Sequence, residues 1–199
     1  MESKKLTNML KIISEKLSEK KIPFCLIGAM ALGLYGLPRY TSDIDILTVD
    51  GKWPEILSTM EDLGYACFQK TESFAQLDSE LGVFGNVDFM FVKTQAGKEI
   101  ISNSTFVKDT FFTGIPIVQP TDYIILKLMA IANNPDRSLK DESDISSFFN
   151  LYNKDLVPDD FAPIDRVKII EYANKFGQIS IVDKYINQQE SHDKKQNQL

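Results

Sequence analysis

The chain has 199 residues, of which 43% are hydrophobic and 25% charged, and its formal net charge is −6. That length suits one sizeable domain, with or without a small helical extension. The acidic balance argues against a broad basic surface gripping a nucleic-acid backbone, although 22 Lys and Arg leave room for a local basic patch. No apolar run approaches the roughly 20 residues that span a bilayer, so no membrane association is expected. The opening residues, MESKKLTNML, lead into an amphipathic pattern rather than a signal-peptide core. Cys25 and Cys67 sit in apolar strand-like runs and read as buried free thiols. Together these features point to a reducing cytoplasm.

Leu6, Met9, Leu10, Ile13 and Leu17 recur at helical spacing, predicting an amphipathic helix over 5–20. Phe24–Ile27 reads as a buried strand, and Gly28 leads into a short helix over 29–35 that Gly36-Leu37-Pro38 breaks. A strand follows at 43–46, then an Asp50-Gly51 turn and a helix over 53–63. Strands are expected at 65–69, 74–78 and 83–92, and a brief helix at 98–102. Residues 106–112 and 115–118 resemble a hairpin around Thr113-Gly114. From Pro120 the pattern turns helical, with helices predicted over 120–133, 140–151, 164–176 and 179–188. The organisation expected is an α/β core over 1–119, a helical C-terminal part over 120–188 packed on it, and a disordered polar tail over 189–199.

The residues that carry chemistry begin at Asp43 and Asp45. In an extended strand they project to one face while Ile44 and Ile46 go to the other. Two carboxylates held so close repel unless a cation lies between them or one takes up a proton. A bare Asp-x-Asp is a weak signal, since one aspartate capping a turn and the other facing solvent give the same pattern. Asp88 sits in Asn86-Val87-Asp88-Phe89-Met90-Phe91-Val92, where an unpaired carboxylate would cost free energy. Lys127 lies on an apolar helix, where a lysine usually snorkels to water. Asp141 and Asp144 fit the first turn of a helix, which favours acids. Arg39 could meet a phosphate or bridge to Asp43. Met60 and Met129 read as packing residues, Trp53 as a core anchor, and His192, in the tail, as inert.

The run Ile27-Gly28-Ala29 … Gly36-Leu37-Pro38-Arg39-Tyr40-Thr41-Ser42-Asp43-Ile44-Asp45 resembles the first motif of the nucleotidyltransferase (polymerase-beta-like) superfamily. Members pair a glycine turn with an Asp-x-Asp or Asp-x-Glu strand. The surrounding sequence, over about residues 20–150, is most similar to the small bacterial AbiEii-type group of abortive-infection and toxin–antitoxin systems. The resemblance implies an α/β (α+β) fold, a mixed sheet flanked by helices. It also implies Asp43 and Asp45 as metal ligands, with Asp88 as third carboxylate, ligand or general base. Two Mg²⁺ ions, or Mn²⁺ in their place, would be the cofactors. Gly28, Ala29, Arg39 and Thr41 would lie against the nucleotide. Lys127 would meet its phosphates, with Asp141 and Asp144 supporting the site. Ala29 departs from relatives that carry Ser there and loses that hydroxyl.

The activity this implies is transfer of a nucleoside monophosphate from an NTP to an acceptor. The acceptor would be RNA, as in AbiEii-type toxins held by an antitoxin partner protein, or a small molecule of the aminoglycoside kind. A non-catalytic nucleotide-binding or interaction module on the same fold is the third reading.

Overall fold

Asp43–Val49 and Asn86–Val92 alternate half-buried and buried side chains through most of their length, and they pair in parallel near the middle of a sheet. The computed structural model describes residues 2–79 and 84–186; the expected disordered tail, with His192, lies outside the described residues. The described chain divides into an α/β unit, Met1–Leu34 with Pro38–Gln119, and a helical unit, Tyr35–Leu37 with Pro120–Leu199.

The α/β unit opens with helix α1, Glu2–Glu19, whose Leu6, Met9, Leu10, Ile13 and Leu17 are all buried. Strand β1, Phe24–Leu26, runs to helix α2, Gly28–Leu34, and then to strand β2, Asp43–Val49. A single 3₁₀ turn, Asp50–Lys52, enters helix α3, Trp53–Asp62, which carries Pro54 in its first turn. Strands β3, Tyr65–Lys70, β4, Phe74–Ser79, and β5, Asn86–Val92, complete the sheet. Helix α4, Gln95–Ser102, starts three residues earlier than the sequence suggests, because the Thr94 side chain accepts from the Gly97 N–H at 3.1 Å and caps it.

The five strands lie in the order β1-β2-β5-β4-β3, and only the β2–β5 pair is parallel. A parallel pair needs a long crossover, which α3, β3 and β4 supply. One face buries Ile44, Ile46, Val87, Phe89, Ala75 and Leu77 completely. The opposite face carries the polar residues. This is the mixed-sheet α/β architecture expected.

Four details differ from expectation. Residues 106–118 form no hairpin: Ile117 makes single bridges to Leu26 and Thr105, and residues 110–114 are a turn. Asp109 organises that turn, accepting from the Phe111 N–H at 2.7 Å and the Phe112 N–H at 3.3 Å. A local aspartate cap outcompeted strand pairing. Cys67 is half-buried rather than buried, because β3 is an edge strand whose register slips between Cys67 and Gln69; Cys25 is buried, and neither cysteine is in a disulfide. Met60 packs in the core, but Met129 is only half-buried. Trp53 is also half-buried, set edge-on to Phe91 at 5.5 Å with the Lys70 ammonium over both rings.

In the helical unit, α5, Pro120–Asn133, buries every residue from Pro120 to Leu128, as a helix apolar all round should. A 3₁₀ turn, Pro135–Arg137, reverses the chain into α6, Ser138–Tyr152; α7, Arg166–Lys175, and α8, Ile179–Ile186, follow. Asp165 caps α7 through the Lys168 N–H at 2.9 Å. Tyr35 belongs to this unit although it follows α2 directly. Its fully buried ring meets Tyr123, Phe148 and Phe161 edge-on at 5.4, 5.5 and 4.7 Å.

Candidate active site

The parallel register sets Asp45 beside Asp88 and Asp43 beside Asn86. The antiparallel register of β4 adds Gln76 beside Asp88 and Asp78 beside Asn86. Two polar rows therefore cross three strands on one face of the sheet: Asp45–Asp88–Gln76 and Asp43–Asn86–Asp78. Neighbouring strands are about 4.8 Å apart, so carboxylates in adjacent register sit within reach of a common ion. Asp43, Asp45 and Asp88 are each half-buried, which strengthens any charge interaction they make relative to open water.

Gln76 and Asp78 share these rows, and the sequence did not single them out. Gln76 Nε2 donates to both oxygens of the Asp88 carboxylate at 3.3 Å. A donated amide hydrogen bond favours the ionised carboxylate and fixes its plane. On the other side, Ser42 Oγ donates to Asp43 Oδ1 at 2.9 Å, and Thr41 Oγ1 accepts from the Asp43 N–H at 3.3 Å. Thr41 thus acts on the strand entry.

Gly28 approaches this face closely. Its φ is +67°, and a Cβ built on it would lie 1.9 Å from Asp45 Oδ2. The Ile27 N–H donates to the Asp45 carbonyl at 2.9 Å, which fixes the approach. Glycine is required here twice over, for the left-handed backbone and for the space beside the carboxylate. Gly28→Ala is expected to cost about 1–2 kcal/mol from backbone conformation alone and to displace the Asp45 carboxylate. Chemical denaturation together with Mg²⁺-dependent nucleotide binding checks this: the midpoint should fall and the binding should be lost.

Among the described residues, no three His, Cys, Asp or Glu side chains are gathered closely enough to hold a metal ion. Asp43, Asp45 and Asp88 share a face through the backbone, and their side-chain atoms do not converge on one point. The donors nevertheless fit a hard divalent cation in kind. They are all oxygens, they are half-buried, and the Asp45 carboxylate fills the room that the missing Gly28 side chain leaves. Ala29 is buried at the start of α2, and Arg39 and Thr41 lie on the loop before β2.

The remaining candidates form a second cluster, in the helical unit. Lys127 does not snorkel. It is only 9% exposed, and its ammonium donates to Asp141 Oδ1 at 2.6 Å and Asp144 Oδ2 at 2.7 Å, with the Tyr123 ring 5.6 Å away. Asp141 and Asp144 are themselves buried, so two carboxylates share one buried ammonium. Arg137, one turn earlier on the same side, brings its Nε to 3.6 Å from Asp141 Oδ2, which has no hydrogen bond. The sequence had named all three residues, and the structure brings them together as an ion cluster.

No family model matches the chain, and no curated protein matches it in sequence. Solved structures do match. The antibiotic-resistance factor ANT(2'')-Ia shares 12% identity and a TM-score of 0.60, over 96% of this chain and 98% of that one. The nucleotidyltransferase fold is what the two share. ANT(2'')-Ia in complex with adenylyl-2''-tobramycin gives 11% identity and a TM-score of 0.57, over 85% and 98% of the two chains. An antigenic nucleotidyltransferase-like protein from Paracoccidioides brasiliensis gives 15% and 0.52, over 92% and 94%. Identities this low speak to the nucleotidyltransferase fold alone.

Proposed function

We propose that the chain is a divalent-metal-dependent nucleotidyltransferase, moving a nucleoside monophosphate from an NTP to an acceptor with release of pyrophosphate. The observation that carries this reading is the shared face of Asp43, Asp45 and Asp88 on adjacent strands, with Gly28 bare against Asp45. Asp43, Asp45 and Asp88 would hold Mg²⁺ or Mn²⁺. When bound, such ions neutralise triphosphate charge and lower the pKa of an attacking hydroxyl.

The chain's own residues orient the reactants. Gln76 orients the Asp88 carboxylate, ready to bind a cation or accept the acceptor's proton. Thr41 and Ser42 hold Asp43, and Gly28, having no side chain, leaves room for the Asp45 carboxylate. Catalysis of this kind is mostly positioning and electrostatics, so a small set of rigid groups suffices.

RNA is the acceptor favoured by the resemblance of the surrounding sequence, over about residues 20–150, to AbiEii-type proteins. A small-molecule acceptor is the second reading. It is supported by the match to ANT(2'')-Ia across nearly the full length of both chains. Incubation with each α-labelled NTP, Mg²⁺, and either total RNA or a panel of aminoglycosides tests both. Label on RNA supports the first acceptor, and label on aminoglycoside alone moves the claim to the second. Nucleotide binding with no transfer to either would make the protein a binding module.

A further inference from the structure

The α/β unit contains a cavity of about 630 Å³ whose lining includes Ala29, Arg39 and Thr41, three residues the family resemblance sets against the nucleotide. It is bounded by α1, α2, the loop before β2 and the turn after Asp109. That volume lies in the range that takes a drug-sized or nucleoside-sized ligand. Ala29 lines it, next to the Gly28 approach, as does Thr41, which holds the Asp43 N–H. The cavity is thus joined in the chain to the candidate site at two points.

Its lining is unusual in two respects. Tyr40 and Phe111 both face it while remaining 77% and 64% exposed, so two large rings stand open to solvent beside one hollow. Its only charged lining residues are Arg39 and Asp109. Asp109 accepts the N–H groups of Phe111 and Phe112 and so fastens the turn that presents Phe111. A polycationic ligand would meet a guanidinium and a carboxylate already engaged by backbone. A flat ring, neutral or attached to phosphate, would meet two aromatic faces and a cation.

We infer that this cavity receives a nucleobase, seated against Tyr40 and Phe111 with Arg39 beside it. Assigning the base to a nucleotide rests on the nucleotidyl-transfer reading, and the chemistry is shared by two sources. The base could belong to the NTP donor or to the terminal nucleotide of an RNA acceptor. A polycationic aminoglycoside is not expected to occupy it.

The test is saturation-transfer NMR and calorimetric titration of the full chain with adenosine, guanosine, cytidine and uridine, without metal, and with kanamycin as the cationic comparison. At least one nucleoside should bind, and Tyr40→Ala and Phe111→Ala should each weaken it by about five-fold or more, the range of one lost base-stacking contact. Both side chains are exposed, so circular dichroism should confirm unchanged folds. Nucleoside binding should be the same with EDTA as with added Mg²⁺, which separates it from the carboxylate site. Displacement of the nucleoside by Mg·NTP assigns the cavity to the donor, and displacement by a short oligonucleotide but not by Mg·NTP assigns it to the acceptor. Absence of nucleoside binding, binding indifferent to both substitutions, or kanamycin binding abolished by them would overturn the inference. If the nucleoside result holds while no NTP is ever transferred, the cavity stands and the enzymatic reading falls.

Discussion

Lys127→Met is expected to lower stability by about 3–5 kcal/mol, the scale set by removing one partner of a buried ion pair. The cause is what remains rather than what is lost. Asp141 and Asp144 are buried, each accepts a hydrogen bond from the same ammonium, and methionine offers neither charge nor donor. Arg137, more than half exposed, lies 3.6 Å from only one of the four carboxylate oxygens and cannot replace the lost cation. Urea denaturation followed by circular dichroism measures the loss. Adding Asp141→Asn and Asp144→Asn to the same protein should restore most of it, because neutral amides do not need a buried counter-ion. A Lys127→Met protein as stable as the parent would show that the cluster is solvated in solution.

Asp45→Asn is expected to reduce nucleotidyl transfer by more than about 100-fold. Loss of a group that merely orients a metal ligand already costs 10–100-fold, and Asp45 is a proposed ligand itself. Asparagine keeps the size and half-burial of Asp45 and removes only the charge, so the fold and the Gly28 approach should persist. Initial rates with labelled NTP, against thermal denaturation of the same preparation, separate the two effects. A fully active variant would remove Asp45 from the metal site.

The positions of most strands and helices along the chain could be read from periodicity because each depends on neighbours in sequence. The Asp43–Asp45 pair was legible for the same reason: strand alternation alone puts both on one face. Asp88 stood out as an acid in an apolar strand. Its pairing with Asp45 could not be read, since it depends on the register of a parallel pair whose crossover runs over residues 50–85. Gln76 was invisible for a related reason. Nothing in Phe74-Ala75-Gln76-Leu77 distinguishes it from any surface glutamine until β4 sets it opposite Asp88. The Lys127 cluster was named residue by residue through the family resemblance, but helix periodicity predicted a snorkelling lysine. The turn at Pro135–Arg137 reverses the chain, bringing α6 and its two acids back against Lys127. Tyr35 was read only as the end of a short helix. Its place among Tyr123, Phe148 and Phe161 depends wholly on tertiary packing. The false hairpin after α4 came from trusting Thr113-Gly114 as a turn between strands, where the stronger local signal was Asp109 two residues before Phe111.

Paramagnetic broadening by Mn²⁺ tests the central claim most directly, because it reports where a cation sits without requiring the acceptor to be known. In the presence of a non-hydrolysable NTP analogue, substoichiometric Mn²⁺ should broaden the amide resonances of Gly28, Asp43, Asp45 and Asp88 first, and Asp45→Asn should abolish the effect. Broadening centred elsewhere on the chain, or none at these four residues, would contradict the assignment of the β2–β5 carboxylate face as the metal site.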